Sequence, residues 1–282
     1  NQSRRQRQMC IRDRSVTEAI ILGIIQGLTE FLPVSSSGHL ELAQALFGNQ
    51  NKTDENLIFT IVVHGATALA TLVVFRDDVW EIIRDLFRFS NNKSTQFSLQ
   101  IILSMIPAAL VGFFFEEAIG SYFFGNILLV GLMLWVTAAL LYIVDKPSEN
   151  LKKISLSKAW WIGVAQAFAI LPGVSRSGAT IATSLLLGVA RDKAARFSFL
   201  MVVPLILGSM VKKVLDGGLA QESLSLGPVI AGFIAAFVSG YLACQWMVSL
   251  VKRSKLRYFA YYCAAVGSIA IVTSQLLSLI HI

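Results

Sequence analysis

Charge is scarce in this chain. Asp, Glu, Lys and Arg make up 15% of its 282 residues, against about 25% in a soluble domain. With 55% hydrophobic residues and a mean hydropathy of +0.66, that shortage excludes an ordinary water-soluble globular domain. Cysteine is nearly absent too. Cys10, Cys244 and Cys263 show no ligand spacing, and the last two sit in apolar runs where a small buried side chain is sufficient reason for them. Neither a disulfide framework nor a cysteine metal centre is readable here. The first 14 residues carry five arginines but no apolar core, so they are neither a cleavable signal nor an anchor. They read as an appended or misread end, as does the closing Leu-Ser-Leu-Ile-His-Ile, and we take residues 15–282 as one membrane domain.

What is present is long apolar sequence. Leu57–Phe75, Phe97–Phe115, Ile127–Val144, Ala194–Val211, Leu226–Val251 and Tyr258–Ile280 each approach the roughly 20 residues that cross a hydrocarbon core. Two further apolar regions are interrupted. Ser15 to Phe47, with Ser15 and Thr17 as candidate caps, predicts a helix to about Leu32, a break over Pro33–Gly38 and a second helix. Trp160 to Ala190 repeats the design around Pro172–Gly178. Each half is short for a span and suits a re-entrant hairpin. Irregular backbone at membrane depth needs protein or a wet cavity around it, so both breaks should face inward.

The breaks are copies of one another. Val34-Ser35-Ser36-Ser37-Gly38 returns 140 positions later as Val174-Ser175-Arg176-Ser177-Gly178. Phe59, Val62 and Val63 match Phe199, Val202 and Val203 at the same offset, and Gln26 matches Gln166. Such coincidences point to duplication, with repeat 1 over about 15–144 and repeat 2 over about 156–280. Three spans lie between the hairpins, an odd number, so the copies must be inverted. The expected fold is an all-α integral membrane protein of six transmembrane helices plus two opposed re-entrant hairpins in an inverted-topology repeat. Fifteen Lys and Arg, in the stretches 76–93, 146–158, 191–196 and 252–257, fall on one face, and the other, with residues 1–14 set aside, has only Lys52, Lys212 and Lys213. The positive-inside rule makes the first face cytoplasmic. The net charge of +7 is then mostly topological and calls for no nucleic-acid partner. Asp77–Phe87 reads as an amphipathic interfacial helix.

Paired broken helices point to a site at the bilayer midplane. Gln26 and Glu30 are four apart and share a helix face. Glu30, His39 and Arg176 are ionisable groups that cost about 2.5–3.5 kcal/mol each at mid-membrane on insertion scales, so function is the default reason for them. The alternative is a polar network that merely pins the hairpins together. Ser35, Ser36 and Ser37 offer hydroxyls and N–H groups at a helix start, a setting for an anion. Arg176 adds a planar donor fork that matches phosphate oxygens. His39, three residues beyond Ser36, is placed to exchange a proton. Glu30 could orient His39, act as a base, or coordinate a divalent ion such as Mg or Ca with Gln26 as the other candidate ligand. His64, whose repeat partner is Pro204, reads as a packing histidine, and His281 receives no role.

Gln26-x-x-x-Glu30, Phe31–His39 and Leu171–Thr180 together resemble the bacterial undecaprenyl-diphosphatase family, also called bacitracin-resistance proteins, over about Ser15 to Leu276. The resemblance implies that Gln26 and Glu30 fill the family's Glu/Gln-x-x-x-Glu motif. Ser35, Ser36 and His39 match its first serine-rich loop, and Ser175, Arg176, Ser177 and Thr180 its second. Ser37 stands where threonine is often found, which keeps the hydroxyl. It further implies a homodimeric enzyme of the bacterial inner membrane, with its site open to the outer face. Such an enzyme hydrolyses a polyprenyl diphosphate lipid and so recycles the carrier for cell-wall synthesis. The expected catalytic set is Glu30, Ser36, His39 and Arg176, with Gln26, Ser35, Ser37, Ser175, Ser177 and Thr180 binding substrate. The competing reading is a lipid or ion transporter, since inverted repeats with broken helices are a common transporter design. A transporter needs no nucleophile beside histidine, glutamate and arginine.

Overall fold

The computed structural model describes residues 15–46, 53–87, 92–123, 125–145, 153–215, 226–253 and 255–280. The ends Asn1–Arg14 and His281–Ile282, with Cys10 and Phe47, lie outside them. Among the described residues every regular element is an α-helix, eleven in all: α1 (Val16–Phe31), α2 (Ser36–Leu46), α3 (Thr53–Val74), α4 (Arg76–Phe87), α5 (Lys93–Phe123), α6 (Ile127–Ile143), α7 (Leu156–Phe168), α8 (Arg176–Leu186), α9 (Arg191–Leu215), α10 (Leu226–Lys252) and α11 (Arg257–Ile280).

The apolar runs are all helical. Within α5, α9, α10 and α11 lie stretches long and apolar enough to cross a membrane unaided. The count reaches six if each of two bent pairs is one span: α3 with α4, bent by 82°, and the end of α5 with α6, bent by 104°. On α10, Ile230, Ile234, Val238, Leu242 and Trp246 are each more than half exposed and four residues apart. An apolar stripe of that extent belongs against lipid. The chain is thus a multi-pass helical membrane protein.

Ser15 caps α1 through a capping box, its hydroxyl accepting from the Glu18 N–H (3.1 Å) while its own N–H donates to the Glu18 carboxylate (3.2 Å). Thr17 is not a cap, because Ser15 is the residue with extended backbone and a glutamate three positions on. Helix α1 stops at Phe31 because Leu32 precedes a proline and takes an extended conformation (φ −67°, ψ 141°). The break is shorter than predicted. Ser35 caps α2, accepting from Gly38 N–H at 3.3 Å, so Ser36, Ser37 and Gly38 already form its first turn. In the second pair α7 starts at Leu156, four residues earlier than expected, capped by Ser155. Helix α8 begins and ends 140 positions after α2.

The two halves interlock. Helix α1 lies along α10 and α7 along α5. Gly23 and Gly163, 140 residues apart, make both approaches possible. A Cβ on Gly23 would stand 2.4 Å from the Gly232 carbonyl oxygen, and one on Gly163 would stand 2.3 Å from that of Ser104. Gly131 and Gly267 allow the same closeness between α6 and α11. Between these pairs lies a core centred on Phe31, Phe197 and Phe199, all fully buried, with the Phe31 ring edge-on to Phe199 at 5.6 Å.

Candidate active site

The breaks between α1 and α2 and between α7 and α8 meet each other. Gly38 packs against the backbone of Gly173, and Gly178 against Pro33. The Ser177 hydroxyl donates to the Leu32 carbonyl across the junction (3.2 Å). Both loops are built alike. Ser175 caps α8 by accepting from Gly178 N–H (3.1 Å), as Ser35 does from Gly38. The Ser35–Ser37 and Ser175–Ser177 hydroxyl pairs lie 3.4 and 3.3 Å apart. They differ in where they turn. The first places Ser35 itself at positive φ (70°), whereas the second uses Gly173 (φ 94°). A left-handed serine costs on the order of 1–2 kcal/mol, and neighbours hold it there. Cys263 on α11 points its thiol at the Pro33 carbonyl (3.6 Å). Thr137 on α6 braces the second loop, donating to the Gly173 carbonyl (3.1 Å) and accepting from Ser175 N–H (2.9 Å).

Glu30 is the hub. Its carboxylate is 7% exposed, and one oxygen accepts from the Gln26 amide (3.0 Å) and the Ser36 hydroxyl (2.7 Å). The other oxygen accepts from Arg176 Nη2 at 2.5 Å. Arg176 Nη1 donates at 3.1 Å to the Ser198 carbonyl on α9, so the fork is clamped between α1 and α9. Nucleophile candidate, carboxylate and guanidinium from two breaks 140 residues apart therefore form one cluster. Ser36, Ser37, His39 and Arg176 keep partial exposure. Ser35, Ser175, Ser177 and Thr180 are at most 2% exposed and bond within the protein. Thr180 donates to the Arg176 carbonyl (2.8 Å) and contacts the Ser198 hydroxyl.

The two histidines stand differently from expectation. His39 does not contact Glu30. Its Nδ1 lies 2.9 Å from the Ser35 carbonyl and its Nε2 lies 2.9 Å from the Tyr262 hydroxyl, with the two rings stacked. A carbonyl only accepts, so Nδ1 carries the proton and Nε2 accepts from Tyr262. His39 is thereby a brace for the strained Ser35. His64, read from sequence as packing, is the histidine beside the carboxylate: its Nδ1 donates to the Thr60 carbonyl (2.7 Å) and its Nε2 lies 3.9 Å from Glu30. Sequence reasoning missed His64, Tyr262 and Ser198, because each arrives from a distant helix and none belongs to a local motif.

Glu30 and Gln26, the two residues that would hold a divalent ion, are bonded to each other, and Arg176 donates to the same carboxylate. Among the described residues no three His, Cys, Asp or Glu side chains gather to hold a metal.

Comparison with known proteins gives the family. Residues 19–269 match the family described as Bacitracin resistance protein BacA. An undecaprenyl-diphosphatase of Christiangramia forsetii is 58% identical over 257 residues, covering 91% of this chain and 97% of its own. The undecaprenyl-diphosphatase of Bacteroides fragilis is 52% identical over 92% of this chain and 98% of its own. That of Methanococcus vannielii is 42% identical over 87% and 95%.

Proposed function

This chain belongs to the bacitracin resistance protein BacA family, and from that premise we propose that it hydrolyses undecaprenyl diphosphate to undecaprenyl phosphate and phosphate where its two helix breaks meet. By recycling the lipid carrier, the reaction sustains cell-wall synthesis and removes the diphosphate that bacitracin sequesters. One observation carries the reading to residues: Ser36 and Arg176, from different breaks, hydrogen-bond the same buried carboxylate.

The mechanism follows from that geometry. Ser36 already donates its proton toward Glu30 at 2.7 Å, so the base is in place before substrate arrives. The Ser36 oxygen attacks the terminal phosphorus in line, the bond to the bridging oxygen breaks, and undecaprenyl phosphate leaves with the electron pair. Glu30 takes the serine proton and passes it to the leaving phosphate or to solvent. Water then attacks the phosphoserine, and its proton returns through Glu30 to the Ser36 oxygen. Arg176 meets the charge on the equatorial oxygens, where preorganised donors are worth most. Ser35, Ser175, Ser177 and Thr180 shape the two loops. His39 holds Ser35, and His64 sets its second ring nitrogen beside Glu30 (3.9 Å).

The architecture that supports this chemistry is six spans and two opposed re-entrant pairs, α1–α2 and α7–α8, in an inverted repeat. At about 1.5 Å per residue, none of these four short helices crosses a core of about 30 Å. The basic face is cytoplasmic by charge count, and location in the inner membrane rests on the resemblance. The open side of the site toward the outer face, and the homodimer, rest on the resemblance. Purified protein should release phosphate from undecaprenyl diphosphate, and a quenched reaction should yield a phosphorylated peptide containing Ser36. Absence of phosphate release sinks the function; release without that peptide moves the attack to water.

A further inference from the structure

A cavity lies away from the catalytic cluster, on the basic face. It has a volume of about 420 Å³ and is walled by Glu81 and Ile82 of α4, the first turns of α5 from Ser94 to Gln100, Lys153 and Ile154 ahead of α7, and Lys193 and Arg196 of α9. Three cations face one carboxylate. Glu81 already accepts from the Ser94 hydroxyl (3.0 Å). Arg196 pairs with Asp78 and lies over the Phe97 ring (5.4 Å). The Gln100 amide donates to the Ile154 carbonyl (2.9 Å). Lys153 and Lys193 are both exposed, and no carboxylate among the described residues pairs with either. With Arg196 paired to Asp78, Lys153 and Lys193 stand against the single negative charge of Glu81, and the cavity carries a net positive charge.

Its depth identifies the kind of ligand. Helix α4 turns 82° away from α3 and so runs across the direction of that span. It also shows Trp80 (67% exposed) and Ile83 (43%) outward. An amphipathic helix with those side chains marks the headgroup level. Ile82, Phe97 and Ile154 add apolar wall beside the lysines, which suits the glycerol and upper chain of a lipid better than a free ion. Basic pockets on the cytoplasmic side of helix bundles are where anionic headgroups bind. We propose that this cavity binds the phosphodiester headgroup of an anionic glycerophospholipid, with Lys153 and Lys193 as its charge partners. This site is separate from catalysis and does not depend on the hydrolase reading.

Native mass spectrometry of the detergent-purified full chain, incubated with equal amounts of phosphatidylglycerol and phosphatidylcholine, tests it. The wild type should retain phosphatidylglycerol preferentially, and each lysine removed should reduce that preference about fivefold, the worth of one basic residue near an anionic surface. Lys153→Gln with Lys193→Gln should thus abolish the preference. Glu81→Gln, which keeps the Ser94 bond but drops the negative charge, should raise it and keeps the proposal testable if the double variant fails to fold. Equal retention of both lipids by the wild type overturns the proposal, as does a preference insensitive to both variants. Full displacement of the lipid by millimolar inorganic phosphate would identify an ion site instead.

Discussion

Replacing Arg176 with lysine removes geometry while keeping charge. The guanidinium uses two different nitrogens on acceptors from two helices, Glu30 of α1 at 2.5 Å and the Ser198 carbonyl of α9 at 3.1 Å. A lysine side chain is one atom shorter and carries its charge on a single nitrogen, so it cannot meet both in the same directions. The loss is at least one hydrogen bond involving a charged group, about 1.5–3 kcal/mol. Since about 1.4 kcal/mol is a factor of ten in rate, turnover should fall between roughly tenfold and a hundredfold. The assay is phosphate release from undecaprenyl diphosphate in detergent, with circular dichroism and thermal melting establishing that the variant is folded. Arg176→Gln, which removes the charge too, should fall further. A folded Arg176→Lys enzyme with more than half the native turnover would refute the argument and reduce the residue to a point charge.

Ser36→Ala and His39→Ala should each cost about 100-fold, one by removing the attacking oxygen and the other by releasing the strained Ser35, and the double variant should lose little more. Tyr262→Phe, which removes only the bond to His39 Nε2, should cost no more than about tenfold; a larger loss would make the tyrosine a direct participant. His64→Phe should lower turnover about tenfold with no loss of melting temperature, since losing a polar neighbour of Glu30 worth about 1.4 kcal/mol suffices, and unchanged turnover would return His64 to packing. Gly163→Ala should destabilise by about 1–3 kcal/mol through overpacking against the Ser104 backbone, whereas Gly112→Ala, with nothing within 4 Å, should be neutral or stabilising in a melting assay. A single-cysteine label at Asn126 should react from outside intact cells and one at Asn150 only after permeabilisation; the reverse pattern sinks the inverted repeat.

Features carried by local sequence were legible in advance, and features that depend on which helix lies beside which were not. The apolar runs announced the helices because the chain cannot hide twenty consecutive apolar residues in water. The breaks were visible because Leu-Pro ends a helix and a serine two or three residues later restarts it, as Ser35 and Ser175 do. The joint position of Ser36 and Arg176 was foreseeable only through the 140-residue repeat, and both do converge on Glu30. His64 was misjudged for a physical reason. Its own helix gives it a complete local bond to Thr60, so only the packing of α3 beside α1 shows that its other nitrogen faces the carboxylate. One signal was present and unused: Gly23 and Gly163 also repeat at 140 residues. A glycine kept at the same place in both hairpins costs helix stability, and that cost has a purpose only if another backbone comes close. Reading the pair that way would have indicated that each hairpin's first helix lies tightly against a long helix. It would not have revealed that each hairpin leans on a span from the opposite half, an exchange that brings Arg176 of the second half within hydrogen-bonding distance of Glu30 of the first.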